Sequence, residues 1–332
     1  MSRVSQTTWV DIAAAAQIVA PGALITDDYQ KEITDALRRN SVLDARINYV
    51  PATGDFSTYY EQTELNGGEF VDPRNPTSTA VSNPRVPKSL KVKALTNQAN
   101  FGHYDLELAK QQNNFPELKA KDLNDMINGI TLAHGKALWR GNDTSLAAPA
   151  TLQYVGLQKQ ITNTFEIAKD ASIVGGIRGK VAAMVASEKF ELRPTAIYID
   201  PIGHFYLEEE ERQAANNNTQ IAGLTKTTVG GLEVKAVMTS AGILPIIPEP
   251  FMQSTVNATD NTLTDYGIAI VTEPMIEYHY VGRKDAFLFE MGTVNDLQMK
   301  YVAIKYGAPV AKGASYAHAS GKIVRPTVAK VG

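Results

Sequence analysis

Between Pro51 and Leu90 the chain holds almost nothing from which to build a core. Apart from alanine, its only aliphatic residues are Leu65, Val71, Val81, Val86 and Leu90, and its only aromatics are Phe56, Tyr59, Tyr60 and Phe70. Pro51, Pro73, Pro76, Pro84 and Pro87 punctuate the stretch together with Gly54, Gly67 and Gly68, and no isoleucine occurs from Asn48 to Met126. Two pieces nevertheless read as strands, Phe56–Tyr60 and Leu90–Leu95, because strand-forming residues alternate with polar ones. They make the two legs of a long hairpin. A lone two-stranded hairpin is marginal in water, and so polar a segment does not bury enough apolar surface to offset the entropy of ordering it. The hairpin must therefore be mobile or lie on another subunit, and its two extended legs favour docking.

The flanking sequence is conventional by comparison. Val10 to Leu24 is Ala-rich and weakly apolar, interrupted by Asp11, Gln17 and Pro21, and reads as an arm that orders against something else rather than as a signal peptide. Residues 26–44 read as a helix, with Thr26, Asp27 and Asp28 at its start and Tyr29, Ile33, Ala36 and Leu37 as its apolar stripe. Pro116 to Trp139 is the clearest helix. Pro116 and Glu117 suit a first turn, and Leu118, Leu123, Met126, Ile127, Ile130, Ala133, Ala137 and Leu138 recur on one side. Gly129 and Gly135 inside it point to a bend or a close approach. From about residue 150, helix and strand alternate. Gly175–Leu192 reads as a helix and Thr195–Ile199 as a strand. His204–Gln213 reads as a helix end whose Glu208, Glu209, Glu210 and Glu211 are solvated. Leu232–Thr239, Ile243–Ile247 and Gly267–Tyr280 are further strands, and Phe287–Ile304 continues the alternation. The mixture predicts an α+β fold rather than a regular βαβ series.

A length of 332 residues allows about two domains or one elaborated one. With no cysteine there is no disulfide, thiolate-bound metal or cysteine nucleophile. The net charge of −3 argues against a dedicated nucleic-acid binder. Charge is unevenly spread, however. After Asp296 no acid occurs, while Lys300, Lys305, Lys312, Lys322, Arg325 and Lys330 follow. That pattern reads first as a solvated basic tail and second as a contact with a polyanion or with an acidic patch on a neighbour. No run approaches the 18 apolar residues of a membrane helix.

Enzyme motifs are near misses. The Gly175–Val181 stretch resembles a phosphate loop, but no glycine precedes Gly179 by five residues, and Val181 stands where a magnesium-binding hydroxyl belongs. Neither a dinucleotide fingerprint nor a nucleophile elbow occurs. His103, His134, His204, His279 and His318 lie far apart, without helical ligand spacing. Asn142-Asp143-Thr144, Asn217-Asn218-Thr219 and Asn257-Ala258-Thr259 are sequons of the kind that polar loops contain by chance. The sequence supplies no catalytic residue, no cofactor-binding residue and no metal ligand, so the expectation is a non-enzyme without cofactor.

The order of elements carries more than any motif. Asn40-Ser41-Val42-Leu43, then Leu90-Lys91-Val92-Lys93-Ala94-Leu95, then Gly102-His103-Tyr104-Asp105-Leu106-Glu107-Leu108, lead into the Pro116–Trp139 helix. Arg140-Gly141-Asn142-Asp143, Tyr154-Val155-Gly156-Leu157-Gln158 and Arg193-Pro194-Thr195-Ala196-Ile197-Tyr198-Ile199-Asp200-Pro201 follow. In this order, over residues 26–310, the chain resembles the major capsid proteins of tailed bacteriophages, with the fold named after phage HK97. The resemblance implies an N-terminal arm over 1–25 and a P-domain that starts over 26–47. It implies an extended E-loop over 48–100, the spine helix within a P-domain stretch over 101–149, and a mixed α/β A-domain over 150–275. P-domain return strands would follow over 276–310 and a basic tail over 311–332.

It further implies a subunit that assembles with copies of itself, in hexamers and pentamers, into an icosahedral shell around double-stranded DNA. Such a shell is a virion component assembled in the bacterial cytoplasm, with separate scaffolding and portal proteins. Tyr59, Tyr60, Phe70 and Val71 would then be buried on a neighbour, while Arg74, Arg85 and Lys88 select its acids. Contact with DNA would be weak and non-specific, and no membrane is involved. An encapsulin-like compartment shares the same fold expectation. A soluble α+β enzyme with a spatially assembled site is the alternative from another class.

Overall fold

The computed structural model describes residues 40–62, 64, 70–74, 83–104, 115–188, 190–216, 223–229, 232–293 and 298–328. The arm expected over 1–25, nearly all of the helix expected over 26–44 and most of the hairpin tip lie outside these residues. Of that N-terminal helix, the described end holds only a short 3-10 turn, Leu43–Ala45.

The long helix spans Phe115–Arg140, one residue beyond the expectation at each end, with Pro116 in its first turn. The strands, in chain order, are β1 Asn48–Pro51, β2 Phe56–Gln62, β3 Arg85–Lys91, β4 Lys93–Gly102, β5 Thr164–Ile167, β6 Ala196–Ile199, β7 Leu224–Val229, β8 Leu232–Thr239, β9 Gly242–Pro248, β10 Ser254–Val256, β11 Leu263–Val271, β12 Ile276–Tyr280, β13 Phe287–Thr293, β14 Gln298–Ala311 and β15 Ala319–Pro326. Shorter helices occupy Leu157–Gln160, Ile173–Val185 and Pro201–Asn216. Helices and strands thus mix as an α+β fold.

Two units divide the chain. The smaller comprises Leu95–Leu132 and Asp285–Lys305. In it β4 and β13 both pair with β14. Phe101, Tyr301 and Ala303 from the strands pack against Met126 and Ile130 of the helix, with Leu95, Ala99, Leu123 and Met299 at the margin. The alternating exposure along β4 follows from this one-sided burial.

The larger unit holds an eight-stranded sheet in the order β5-β15-β11-β6-β9-β8-β7, with β10 added to β11. β5 and β15 run parallel, as do β6 and β9; the other pairs on this path are antiparallel. One face packs on the Ile173–Val185 and Pro201–Asn216 helices, through Ile173, Ile177, Val181 and Leu207 against Ile197, Ile199, Val237, Ile246, Ile268, Ile270 and Ile323. On the other face Tyr198 meets the indole of Trp139, ring centres 5.5 Å apart. Both faces of β6 are covered, so its four residues are all buried. In the same unit β1 pairs in parallel with β12, and β12 pairs with the end of β14.

Several expectations need correction. The second hairpin leg is Arg85–Lys91, not Leu90–Leu95: Tyr60 stands opposite Pro87, and Leu90 opposite Ser57. Pro87 falls within this leg. In a two-stranded ribbon each strand is an edge, so its missing N–H costs nothing. Gly267–Tyr280 is two strands, broken at the 3-10 turn Glu273–Met275. The helix expected to reach Leu192 ends at Val185.

Nor is the basic segment a solvated tail. β15 lies between β11 and β5. Its Lys322 pairs with Asp265 and Glu166 at 3.0 and 3.1 Å, and Arg325 donates to the carbonyls of Ala168 and Ala171. The glutamate run has partners as well. Glu209 holds Arg212, Glu211 holds Lys235, and Glu210 accepts from the Ile173 amide at the start of its helix.

Candidate functional site

The hairpin is the part of the molecule whose chemistry the fold leaves open. Its base is tied to the chain's own body. Lys91 N donates to Leu146 O at 2.9 Å and Val92 N to Asp55 O at 2.9 Å. Next in sequence, Lys93 places its ammonium on Asp143, on Thr151 O at 2.6 Å and on Gln153 O at 2.6 Å, satisfying all three of its donors.

Asp143 is fully buried. Its second oxygen accepts from the amides of Thr144 at 2.8 Å and Ala150 at 2.9 Å. Burial alone would raise its pKa, but the Lys93 hydrogen bond and these two amides outweigh burial and hold the carboxyl below its ordinary value. The turn that carries Asp143 leaves the long helix through Gly141. A Cβ there would collide with the carbonyls of Tyr154 and Ala137, so only glycine lets the strand segment at Val155 approach the helix end. Gly135 similarly faces the ring of Phe251, which a Cβ would meet at 2.8 Å.

Alternation along β2 separates two faces. Tyr59 and Glu61 point inward; Tyr59 is 7% exposed and sits beneath the Lys312 ammonium, 5.8 Å from the ring centre. Burial, with Glu61 and Glu277 nearby, pushes the Tyr59 hydroxyl up to about 12. Glu61 takes the ion pair from Lys88. Further along, Tyr316 donates to Gln62 O at 3.4 Å and stacks on Phe190.

The seven residues expected at a subunit contact thus divide. Tyr59 is buried within its own subunit, whereas Lys88 pairs with Glu61 of the same hairpin and keeps a side chain 42% exposed. Tyr60 is 71% exposed and Phe70 fully exposed, and Val71, Arg74 and Arg85 are exposed as well. Val86 of β3, opposite Glu61, is exposed too. Asp72 accepts from the Arg74 amide at 2.9 Å, which shapes the short turn after Val71.

Sequence reading missed Lys93, Asp143, Ser57, His279, Glu277 and Lys312, which hold the hairpin's base. Their partners lie tens to hundreds of residues away, and the one local signal is the i, i+2 spacing of Glu277 and His279 on a strand. Among the described residues no group of three or more carboxylates and histidines gathers as a metal site, and no helix is long and apolar enough to cross a membrane.

No protein-family model matches the chain, and no curated protein matches it in sequence. Solved structures do match. One from Gordonia phage Cozz is 12% identical, with a TM-score of 0.58 over 99% of this chain and 98% of that one. The capsid of Myoviridae phage XM1 is 10% identical, with a TM-score of 0.55 over 91% and 99%. The SrpI encapsulin of Synechococcus elongatus PCC 7942 is 11% identical, with a TM-score of 0.54 over 93% and 94%. Across nearly its whole length this chain has the HK97-like fold of phage capsids and encapsulins, as the order of its sequence elements implied.

Proposed function

We propose that this chain is the major capsid protein of a tailed phage, assembling in hexamers and pentamers into an icosahedral shell around double-stranded DNA. The observation that carries the reading is a set of exposed apolar hairpin residues, Tyr60, Phe70, Val71 and Val86, on a fold matched almost end to end by solved phage structures. A large exposed aromatic on a polar hairpin gains little in a lone subunit and much on a neighbour. Residues 48–100 act as the E-loop and residues 150–275 as the A-domain. Residues 101–149 and 276–310 act as the P-domain, and the arm over 1–25 contributes further contacts. Tyr60, Phe70 and Val71 are the contact residues, with Arg74 and Arg85 choosing acids on the partner. Many modest contacts in a closed shell give large collective stability. Scaffolding and portal proteins are separate chains, and DNA is held weakly. The role is structural, and the site of action is the virion, after assembly in the host cytoplasm.

The similarity to SrpI supports a second reading, a cellular compartment with protein cargo. Negative-stain electron microscopy of the purified chain tests both. Closed shells are expected, holding nucleic acid for a phage head and protein for a compartment. A species of one to four subunits under all conditions refutes both.

A further inference from the structure

Beneath the first leg of the hairpin, Ser57, His279, Glu277 and Lys312 gather at one cleft. Glu277 and His279 are two residues apart on β12, so the strand's period sets them on one face. His279 is buried, with Nε2 3.0 Å from Glu277 Oε2 and Nδ1 2.7 Å from Ser57 Oγ on β2. Lys312 donates to the other Glu277 oxygen at 2.6 Å.

These partners assign the tautomer. A carboxylate only accepts, so Nε2 carries the hydrogen toward Glu277, and Nδ1 offers its lone pair to the Ser57 hydroxyl. Burial holds His279 below its ordinary value; Glu277 opposes that effect and Lys312 adds to it. The imidazole is therefore an unprotonated base at neutral pH. Ser57 is half-buried, and a cleft of about 540 Å³ opens in front of it. Ser57, His279, Glu277 and Lys312 line it together with the apolar Val50, Pro51, Ala52 and Phe56.

A hydroxyl bonded to a neutral imidazole, whose far nitrogen is held by a carboxylate, is the arrangement of an activated nucleophile. The two ring nitrogens are exchanged relative to the usual serine-hydrolase triad, which leaves the proton path unchanged. We propose that Ser57 is an acyl-accepting nucleophile and that this cleft admits small carboxylic esters, with His279 as base and Glu277 as a positioning residue. Ser57 Oγ bonds to the ester carbonyl carbon as its proton passes to His279 Nδ1. The tetrahedral species then collapses, the bond to the alcohol oxygen breaks, and His279 returns the proton to the departing alkoxide, leaving acyl-Ser57. The Lys312 ammonium in the cleft wall supplies positive charge for the oxygen that becomes anionic.

The full chain incubated with a fluorophosphonate tests this, because Ser57 Oγ displaces fluoride from phosphorus and peptide masses locate the adduct. An adduct on Ser57 is expected, absent from Ser57→Ala and slowed on the order of 100-fold or more in His279→Gln. With p-nitrophenyl acetate, nitrophenol release above that of Ser57→Ala is expected, with a pH midpoint below histidine's ordinary value of about 6.5. Glu277→Gln should move that midpoint further down, since the carboxylate no longer raises it; a merely structural Glu277 would change the rate without moving the midpoint. No adduct on Ser57 in the unaltered chain overturns the proposal. So does ester cleavage equal to that of Ser57→Ala, or an adduct that forms as fast in His279→Gln. None of these outcomes bears on whether the chain forms shells.

Discussion

The Lys93–Asp143 pair is the joint at which the hairpin meets the body, and its removal should be felt strongly. Asp143 has no solvent exposure and the Lys93 side chain is 9% exposed. Asp143→Asn keeps an acceptor for the amides of Thr144 and Ala150 but turns a donor toward the Lys93 ammonium. Breaking one side of a buried pair costs about 3–5 kcal/mol, a large part of a typical domain stability of about 5–15 kcal/mol. Lys93→Met should cost a similar amount, since it strands the carboxylate. The double variant Lys93→Met/Asp143→Asn removes the unpaired charge, so it should be less destabilised than the sum of the singles by at least about 2 kcal/mol.

Urea denaturation of unassembled subunits, followed by circular dichroism, measures all four corners of this cycle. The pH dependence has a definite sign. Asp143 is held below its unfolded value of about 3.9, so its contribution is complete above that pH and is lost as pH falls toward its depressed native value. The acid limb of the stability curve should flatten in Asp143→Asn. Additivity of the two single variants within about 0.5 kcal/mol, or an acid limb unchanged by Asp143→Asn, would refute the reasoning.

Other expectations follow from particular residues. Tyr60→Ser with Phe70→Ser should leave subunit stability within about 0.5 kcal/mol of the parent while lowering shell yield in electron micrographs; equal yield would show that this face is not a contact. Deleting residues 62–84 should give a folded subunit that no longer assembles, and loss of the circular-dichroism signal would place the hairpin in the subunit's own core. Gly141→Ala should lower the melting temperature by several degrees because its Cβ has nowhere to go; an unchanged melting temperature would contradict that packing. Burial pushes His318 down to about 4, opposed only in part by its hydrogen bond to the Lys312 carbonyl. Its stabilisation is therefore complete above pH of about 6.5 and disappears as pH falls toward 4. His318→Gln should flatten stability across that window, measured by urea midpoints.

What could be read from the chain depended on how local its causes were. The Phe115–Arg140 helix was legible because its cap, its stripe and its end all lie within its own residues. β8 was legible from the alternation of Leu232 to Ala236 and β9 from the apolar run Ile243–Ile247, with a tight turn at Ser240–Ala241 between them. The basic residues of β15 were misread because Asp265, Glu166 and the carbonyls of Ala168 and Ala171, which neutralise or accept from them, are brought in only by the sheet. At the hairpin, alternation revealed a face but not its direction. Tyr59 and Tyr60 are adjacent and chemically alike, and only the tertiary packing, which sets Tyr59 against Lys312, decides which one is buried. Asp143 was noticed as part of a sequon, whereas its burial beneath Lys93 depends on a contact spanning fifty residues.

The place of β15 in the sheet also acts as a check on completeness. β11 pairs with it along eight residues, and most of that strand is buried. A polypeptide cut before Ala319 leaves the apolar edges of β11 and β5 without a partner, and such edges seek one another in solution. Copies damaged or terminated before Ala319 are therefore expected to precipitate or be degraded, and on the proposed function they would be kept out of the shell. Proofreading of this kind needs no separate inspector, because the strand that closes the sheet also certifies that the chain behind it was made.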